Sequence, residues 1–382
     1  MSRIKIIADN KIPYLKGVLE PVADVVYMPG REMTPESIRD ADALIIRTRT
    51  KCNAALLKGS KVKFIASATI GFDHIDTAYC EKAGIRWTNA PGCNSSSVQQ
   101  YIVSAFLTLC RERGLKPGVI TAGVIGVGNV GSKVCRALEA IGVKVLKNDP
   151  PRERREGAGE FVDLDHLLNQ SDLVTIHVPL NREGADRTWH MADREFFNKM
   201  KDSAILFNSS RGEVVDEDAL MSAIESDKLS DVVLDVFEHE PAINEGLLEK
   251  LFLATPHIAG YSVDGKANGT MMSVRAVSQF FQLGLDKWKP DNLPLPENAG
   301  LYLDASEDNL TEALVELFYQ TYDIREDDRA LRERPGNFEM LREKYPVRRE
   351  PAIYSVRIFN NDPSIINMLE GIGFSITGDS CF

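Results

Sequence analysis

Closely spaced cysteines are missing from this 382-residue chain. The six cysteines stand far apart, at positions 52, 80, 93, 110, 135 and 381, and form no Cys-x-x-Cys pair. This spacing argues against a zinc ribbon or a disulfide framework, so we expect reduced thiols and no bound metal. The first ten residues, MSRIKIIADN, also lack the charged and then apolar pattern of a secretory signal. We therefore expect a cytoplasmic protein.

Positive charge and long apolar runs are in short supply as well. The chain has 45 Lys and Arg against 56 Asp and Glu, which gives a net charge of −11. Proteins that bind nucleic acids or anionic membranes non-specifically need a basic surface. No uninterrupted apolar stretch approaches the roughly 20 residues of a membrane span. We therefore expect neither a nucleic acid nor a membrane as a partner, and an anionic substrate would need a local basic pocket.

A glycine pattern of the dinucleotide-binding type lies near the middle of the chain. Gly126-x-Gly128-x-x-Gly131 follows an apolar run and precedes an amphipathic helical pattern. A second apolar run ends near Asp149, at the distance where a βαβ unit places the acidic residue that binds an adenosine ribose. A glycine-rich turn that serves only strand-to-helix packing is the alternative. Asp149 favours a bound dinucleotide.

Strand-like and helical patterns alternate on both sides of these glycines. Strands are predicted near residues 3–8, 41–46, 63–67, 120–125, 143–148, 173–178, 204–208 and 231–235. The alternation predicts an α/β fold with two Rossmann-like, doubly wound parallel-sheet domains and a cleft between them. A helix predicted over residues 266–282 is long enough to cross back to the first domain.

Proline-rich breaks suggest the domain bounds. We assign residues 1–92 and 258–287 to a substrate (lid) domain, residues 93–257 to the dinucleotide-binding domain and residues 288–382 to a small C-terminal α+β domain. The C-terminal domain is too short for a large core, so we expect it to pack against a second subunit and to act as a dimerisation domain. The alternative is an appendage packed on its own chain in a monomer.

Three residues with useful chemistry follow predicted strand ends: Arg211, Glu240 and His257. An arginine can clamp a carboxylate through two hydrogen bonds and stays charged at every working pH. A histidine can take up a hydroxyl proton, and Glu240 would orient its ring. The alternatives are a surface arginine and a buried structural histidine. His177 is a weaker candidate for the base because it has no acidic neighbour in sequence.

Four separated stretches resemble, in order and spacing, the D-isomer-specific 2-hydroxyacid dehydrogenases. They are the glycine pattern, NSSRGEVVDEDAL, DVFEHEP and TPHIAGYS, and the resemblance covers roughly residues 1–285. It implies an enzyme that oxidises a 2-hydroxy acid with NAD. It also implies that Arg211 binds and polarises the substrate, that Glu240 supports the histidine and that His257 is the acid and base.

The resemblance further implies which residues bind the ligands. Asp149 would hold the adenosine ribose of NAD, and Asp235 and Gly260 would line the nicotinamide end. The pyrophosphate would lie on the glycine turn, which comprises Gly126, Gly128, Asn129, Val130 and Gly131. Three residues match substrate-contacting positions: Thr48, Thr69 and Tyr261. The carboxylate of Asp149 favours NAD over NADP, although three nearby arginines could neutralise a 2′-phosphate: Arg152, Arg154 and Arg155.

Further stretches resemble one branch of this family, which acts on a phosphorylated hydroxy acid: residues 9–14, 91–94, 149–152, 260–266 and 322–328. The substrate phosphate needs cations, and the first candidates are Arg47, Arg49 and Lys51, which follow a predicted strand. A second candidate is the pair Arg348 and Arg349, which could reach the site of a neighbouring subunit; the alternative for both groups is a solvated surface cluster. Two other functions stay open, namely a sister dehydrogenase for an acid such as 3-phosphoglycerate and a non-catalytic dinucleotide sensor.

Overall fold

The structure is a computed structural model that describes residues 3–306, 309–359 and 362–377. Its contacts divide these residues into two compact units. The first unit combines residues up to 94 with residues 262–294, and the second combines residues 95–261 with those from 295 onward. Five of the six cysteines are free buried thiols, and Cys381 lies outside the described residues.

The first unit is built on a five-stranded parallel sheet. Its strands are β1 (Lys5–Asp9), β2 (Asp24–Met28), β3 (Ala43–Ile46), β4 (Phe64–Ser67) and β5 (Arg86–Thr88), and its first helices are α1 (Pro35–Ile38), α2 (Ala54–Leu57) and α3 (Thr77–Ala83). The strand order is β2-β1-β3-β4-β5. Strands β3 and β4 are buried along their whole length, as parallel strands covered on both faces require. Thr48 and Thr69 follow the carboxyl ends of these two neighbouring strands.

The second unit contains a six-stranded parallel sheet. Its strands are β6 (Thr121–Ile125), β7 (Lys144–Asn148), β8 (Leu173–Ile176), β9 (Ala204–Asn208), β10 (Leu229–Leu234) and β11 (Leu253–Ala254). The order β11-β10-β9-β8-β6-β7 means that the strand order reverses between β6 and β8. Doubly wound sheets bind ligands beyond the carboxyl ends of their strands at such a switch point. The fold class predicted from the sequence is confirmed.

The helices that follow along the chain belong to the second unit, except the last of them, which belongs to the first unit. They are α4 (Ser95–Arg113), α5 (Gly131–Ala140), α6 (Pro150–Glu156), α7 (Leu164–Gln170), α8 (Arg194–Lys199), α9 (Glu217–Glu225), α10 (Glu245–Lys250) and α11 (Val263–Phe281). Helix α11 is the long helix predicted over residues 266–282, and it belongs to the first unit. In the part of the chain that the structure describes, no helix is long and apolar enough to cross a membrane.

All eight strands predicted for these two sheets are present, whereas β2, β5 and β11 were not predicted. Strands β2 and β5 lie at the edges of their sheet and are partly exposed. Strand β11 has two residues. Edge strands and very short strands need no continuous apolar run, so their sequences carry little signal.

The C-terminal segment, residues 295–377, adds a small parallel sheet and four helices. Its strands are β12 (Gly300–Leu303), β13 (Ser355–Ile358) and β14 (Ser375–Ile376), and its helices are α12 (Leu310–Thr321), α13 (Ile324–Glu333), α14 (Phe338–Glu343) and α15 (Pro363–Ile372). Neighbouring strands pair in parallel in the order β12-β13-β14.

This segment packs on helices α4 and α5 of its own chain. Gly371 of α15 approaches α5 so closely that an added Cβ would lie 2.5 Å from the Cβ of Ala140. Ser97 of α4 is buried and donates a hydrogen bond to Glu350 (3.1 Å). The segment that we expected to form a separate domain therefore shares one hydrophobic core with α4, α5 and the six-stranded sheet.

A chain that ends at residue 294 should aggregate, because its loss of the C-terminal segment uncovers the apolar faces of α4 and α5. Sedimentation velocity and denaturant unfolding of the shortened chain would check this. A soluble product with one cooperative unfolding transition would show that the segment is dispensable for folding.

Candidate active site

The glycine turn after β6 leaves room for an anion. Gly126 has a φ of +84°, and a Cβ on Gly131 would lie 2.0 Å from the carbonyl oxygen of Gly126. A Cβ on Gly128, by contrast, would meet no described atom within 4 Å. Helix α5 begins at Gly131, and no side chain of its N-cap residue accepts a hydrogen bond there. Open space beside a helix N-terminus fits a dinucleotide pyrophosphate.

Asp149 ties this turn to the end of strand β7. One carboxylate oxygen accepts the N–H of Val127 (2.8 Å), and the other accepts the N–H of Arg152 (2.9 Å) at the start of α6. An ionised carboxylate can accept about four hydrogen bonds, so each oxygen keeps a lone pair for a ribose hydroxyl. The residue predicted to bind the ribose thus also holds the turn in place.

The arginines that could neutralise a 2′-phosphate are already paired with carboxylates. Arg152 and Arg155 contact Glu156 (2.6 and 2.8 Å), and Arg154 contacts Asp186 (2.6 Å). Their charges are therefore partly cancelled beside Asp149. This arrangement suits a cofactor with a free ribose hydroxyl better than one with a 2′-phosphate.

Three neighbouring parallel strands end shortly before the three candidate catalytic residues, which therefore lie at one edge of the sheet. Arg211 follows β9, Glu240 follows β10 and His257 follows β11. A Cβ on Gly212 would lie 1.9 Å from the carbonyl oxygen of Phe237. Only glycine therefore lets the loop that carries Arg211 pack against the loop that carries Glu240. The guanidinium of Arg211 donates a hydrogen bond to the carbonyl of Ser210 (2.8 Å).

His257 and Glu240 form a hydrogen-bonded pair. Nδ1 of His257 lies 2.7 Å from Oε2 of Glu240, and the other carboxylate oxygen accepts the N–H of Phe237 (3.0 Å). Because Nδ1 donates to the carboxylate, Nε2 is the ring nitrogen left to exchange a proton. The φ of His257 is +56°, a left-handed conformation that is uncommon for a residue with a Cβ.

The pKa of Glu240 is lowered in this setting. Burial acts to raise it, but the hydrogen bond and charge of His257, the N–H of Phe237 and the charge of Arg342 together outweigh burial. Glu240 is therefore a carboxylate throughout the neutral range. A fixed carboxylate beside an imidazole is suited to orient a general base.

Asp235 anchors the loop that carries His257, which we name the His257 loop (residues 255–261). Its buried carboxylate accepts the hydroxyl of Thr255 (2.6 Å) and the N–H groups of Ile258 (2.7 Å) and Ala259 (2.9 Å). Burial raises the pKa of Asp235 to about 6, although these donors and His257 act to lower it. Gly260 follows directly in the same loop.

The three predicted substrate-contacting residues are distributed over both units. In the second unit, the hydroxyl of Tyr261 accepts a hydrogen bond from Arg342 (3.2 Å). In the first unit, Thr48 is exposed in the turn after β3, and Thr69 hydrogen-bonds to the Ser67 hydroxyl (2.8 Å) after β4. Because β3 and β4 are neighbours, Thr48 and Thr69 lie at one edge of their sheet.

Comparison with known proteins identifies the family. Residues 110–259 match the D-isomer specific 2-hydroxyacid dehydrogenase, NAD binding domain, and residues 292–373 match a domain of unknown function (DUF3410). The chain is 52% identical to erythronate-4-phosphate dehydrogenase of Bacteroides fragilis over 93% of this chain and 99% of that protein. It is 39% identical to the enzyme of that name from Proteus mirabilis over 98% of this chain and 100% of that protein. The chain belongs to the erythronate-4-phosphate dehydrogenase family.

Solved structures place this family within a wider group. The D-lactate dehydrogenase of Aquifex aeolicus, complexed with NAD and lactic acid, superposes with a TM-score of 0.62 at 28% identity, over 74% of this chain and 96% of that chain. This protein is accordingly an NAD-dependent 2-hydroxyacid dehydrogenase. The turn around Gly128 and the carboxylate of Asp149 are the groups that would hold its NAD.

Two predictions on basic residues change with the structure. Arg348 and Arg349 are each 4% exposed, so the prediction that they form a solvated surface cluster is wrong; their reach into the site of a neighbouring subunit stays a prediction. The C-terminal segment buries them, and Arg348 donates to the carbonyl of Ala259 in the His257 loop. Arg47 is 35% exposed and pairs with the buried Asp9 (3.3 Å).

His177 has the surroundings of a structural histidine. Burial lowers its pKa to about 3, and its Nε2 lies 3.0 Å from the hydroxyl of Thr175. A neutral imidazole at every working pH is a poor proton carrier. The interpretation of His177 as a packing residue is therefore the better one.

Sequence reasoning missed the residues that hydrogen-bond to the His257 loop from distant positions in the sequence. Tyr101 of α4 hydrogen-bonds to the hydroxyl of Thr255 (2.9 Å), and Arg342 and Arg348 come from the C-terminal segment. These residues stand between 81 and 154 positions from their partners. No local pattern links such positions, so the sequence held no signal for them.

Gly128→Ala and Gly131→Ala should fail in different ways. The methyl group at position 131 would overlap the Gly126 carbonyl, so this variant should unfold more easily, whereas the methyl at 128 enters open space and should leave stability within about 1 kcal/mol of wild type. Gly128→Ala should nevertheless bind NAD more weakly, since it fills the space beside the helix N-terminus. Thermal unfolding and calorimetric NAD titration would test the pair. Unchanged NAD affinity in Gly128→Ala would place the pyrophosphate elsewhere.

Glu240→Gln should lower kcat by roughly 10²–10⁴-fold and move the acidic limb of the pH profile to lower pH. The amide oxygen would keep the N–H of Phe237, so the amide NH₂ would face Nδ1 and favour the ring tautomer that carries its proton on Nε2. The variant also loses the charge that stabilises a protonated imidazole.

Glu238→Gln is the matched control for this variant. Glu238 hydrogen-bonds to His190 (2.6 Å), whereas the carboxylate that bonds to His257 is that of Glu240. Its substitution should leave kcat and the pH profile near those of wild type. The same loss of kcat in both variants would remove Glu240 from its predicted role.

Proposed function

We propose that this protein oxidises 4-phospho-D-erythronate with NAD to 3-hydroxy-2-oxo-4-phosphooxybutanoate, a step in pyridoxal 5′-phosphate biosynthesis. The observation that carries the chemistry is the His257–Glu240 pair, 2.7 Å apart at the carboxyl edge of the sheet. The full-length similarity to enzymes named for erythronate 4-phosphate supports the substrate.

The reaction removes a proton and a hydride from the C2 alcohol. His257 takes the hydroxyl proton on Nε2 as the C2–O bond becomes a carbonyl, and Glu240 stabilises the imidazolium that forms. NAD, when bound, supplies the acceptor for the hydride from C2. Arg211 is the cation that we propose for the C1 carboxylate, since a planar guanidinium matches that group.

The substrate phosphate needs a second cationic site. We propose Arg47, Arg49 and Lys51, which lie with Thr48 in the loop after β3. The pairing of Arg47 with Asp9 (3.3 Å) fixes its guanidinium but cancels part of its charge, so the exposed side chains of Arg49 and Lys51 supply the additional positive charge. Guanidinium groups bind phosphate oxygens through charge-assisted hydrogen bonds.

A substrate panel tests this function. NADH formation should be fastest with 4-phosphoerythronate, slower with 3-phosphoglycerate and slowest with unphosphorylated erythronate. A preference for 3-phosphoglycerate would assign a sister activity. NAD binding without turnover of any acid in the panel would favour a dinucleotide sensor.

His257→Ala should lower kcat by about 10²–10⁴-fold and leave NAD affinity nearly unchanged, because a positioned acid and base contributes that much to the rate. His177→Ala is the control, since that histidine is held neutral; it should lower stability with much less effect on kcat. Steady-state kinetics and calorimetry on both variants separate the roles. If His177→Ala loses more kcat than His257→Ala, the base has been misassigned.

We also propose that the chain is a cytoplasmic homodimer formed through its C-terminal segment. The small sheet buries Leu301 and Leu303 on one face and exposes Tyr302 (65%) and Arg357 on the other. Phe359 follows β13 and is 73% exposed. Large exposed apolar side chains on one face are typical of an interaction surface.

Tyr302→Glu should weaken such a dimer, whereas Val119→Glu should not. Both side chains are well exposed (65% and 76%), but Val119 precedes β6 and is not part of the small sheet. Sedimentation equilibrium over a concentration series would give both dissociation constants. A wild-type monomer at every concentration, or a dimer equally weakened by both substitutions, would contradict the proposed interface.

A further inference from the structure

Two arginines of the C-terminal segment end on the His257 loop of their own chain. Arg342 on α14 donates to the hydroxyl of Tyr261 (3.2 Å), and Arg348 donates to the carbonyl of Ala259. Both belong to the part of the chain that matches a domain of unknown function. We propose that Arg342 and Arg348 are positioning residues that hold the His257 loop in its reactive conformation.

Arg348 completes the fixation of one residue in this loop. Asp235 accepts the N–H of Ala259 (2.9 Å), and Arg348 donates to the carbonyl of that residue. Ala259 is therefore held from both sides, two residues after His257. A histidine with a φ of +56° keeps that conformation only where the surrounding structure fixes it, and the two contacts at Ala259 provide that fixation.

The burial of Arg348 indicates that its guanidinium is fixed. It is 4% exposed, its Cζ lies 4.3 Å from the ring centre of Tyr322, and the Tyr345 hydroxyl accepts one of its N–H groups (3.4 Å). Tyr345 and Tyr322 in turn donate to Asp327 (2.7 and 2.8 Å). The buried charge is thus compensated by a polar network within the C-terminal segment, and the network gives Arg348 a defined position.

Arg342 connects the same segment to Tyr261 and Glu240. Its guanidinium lies 5.7 Å from the ring centre of Tyr261 and pairs with Glu339 (3.3 Å). Its charge also helps to lower the pKa of Glu240, the partner of His257. Loss of Arg342 should therefore affect both a residue predicted to contact substrate and the carboxylate that orients the base.

Four variants and one control test the proposal on the full-length protein. Arg348→Lys and Arg342→Lys keep the charge but lose the planar fork, and Arg348→Met and Arg342→Met remove the charge. Gln99→Ala is the control, since buried Gln99 donates to the carbonyl of Ile372 and so holds the same segment through a contact in which the His257 loop takes no part. Each variant is measured for kcat, KM, the pH profile, NAD affinity and unfolding.

We expect both Arg348 variants to lower kcat by about tenfold or more, with Lys the milder change, because a charge-assisted hydrogen bond is lost. Arg342→Met should raise KM about tenfold and shift the acidic limb of the pH profile. Arg342→Lys keeps the charge, so its pH profile should be closer to that of wild type than its KM is. NAD affinity should stay near wild type in all of them. Gln99→Ala should lower stability and leave kcat, KM and the profile unchanged.

The kinetic test rests on the proposed function, because it needs the substrate. A proton NMR measurement on His257 needs no substrate, so it can test this inference even if the proposed function is wrong. An imidazole N–H that is hydrogen-bonded to a carboxylate gives a low-field proton resonance. The resonance of His257 should broaden or move in Arg348→Lys and persist in Gln99→Ala. If Arg348→Met does not fold, the results for Arg348→Lys and Arg342→Met decide whether the two arginines position the loop. Wild-type kinetics and resonance in these two variants, or the same kinetic losses in Gln99→Ala, would overturn the proposal.

Discussion

Three hydrogen-bond donors converge on the buried carboxylate of Asp235, and the position of His257 depends on them. The Thr255 hydroxyl and the N–H groups of Ile258 and Ala259 lie on both sides of His257 in sequence. They fix the backbone of a residue in the left-handed region, where a side chain is uncommon. The ring of His257 is thereby held toward Glu240 in one loop conformation. Catalysis by a general base requires such a fixed position.

The C-terminal segment has two functions that are coupled by burial. It covers α4 and α5, and this contact places Arg342 and Arg348 against the His257 loop. A charged side chain is costly to bury unless partners surround it, and Arg348 is surrounded by Tyr322, Tyr345 and the nearby Asp327. The network around Arg348 therefore affects both the stability of the segment and the geometry of the loop.

The fold could be predicted from the sequence because its central strands are continuous apolar runs and its glycine turn has a fixed spacing. The run at 204–208 became β9 with the same bounds, and the turn that starts at Gly126 leads into α5, which begins at Gly131. Arg211 and Glu240 could be singled out because each follows such a strand, whereas His257, which follows the unpredicted β11, was singled out by the chemistry of its side chain and by the resemblance of TPHIAGYS. Their partners could not be found in this way: Tyr101 reaches Thr255 across 154 positions. Arg348 looked like a surface charge because burial of an arginine depends on tertiary partners that sequence does not show.

Asp149 has a structural role in addition to its predicted role in cofactor recognition. The same carboxylate that is predicted to bind the ribose also secures Val127 in the glycine turn and caps α6. Removing it to admit a 2′-phosphate would loosen the turn that receives the pyrophosphate and free the start of a helix. A change of coenzyme in this scaffold is therefore a problem of local folding as well as recognition, and it would need a substitute anchor for Val127 before a new cation could help.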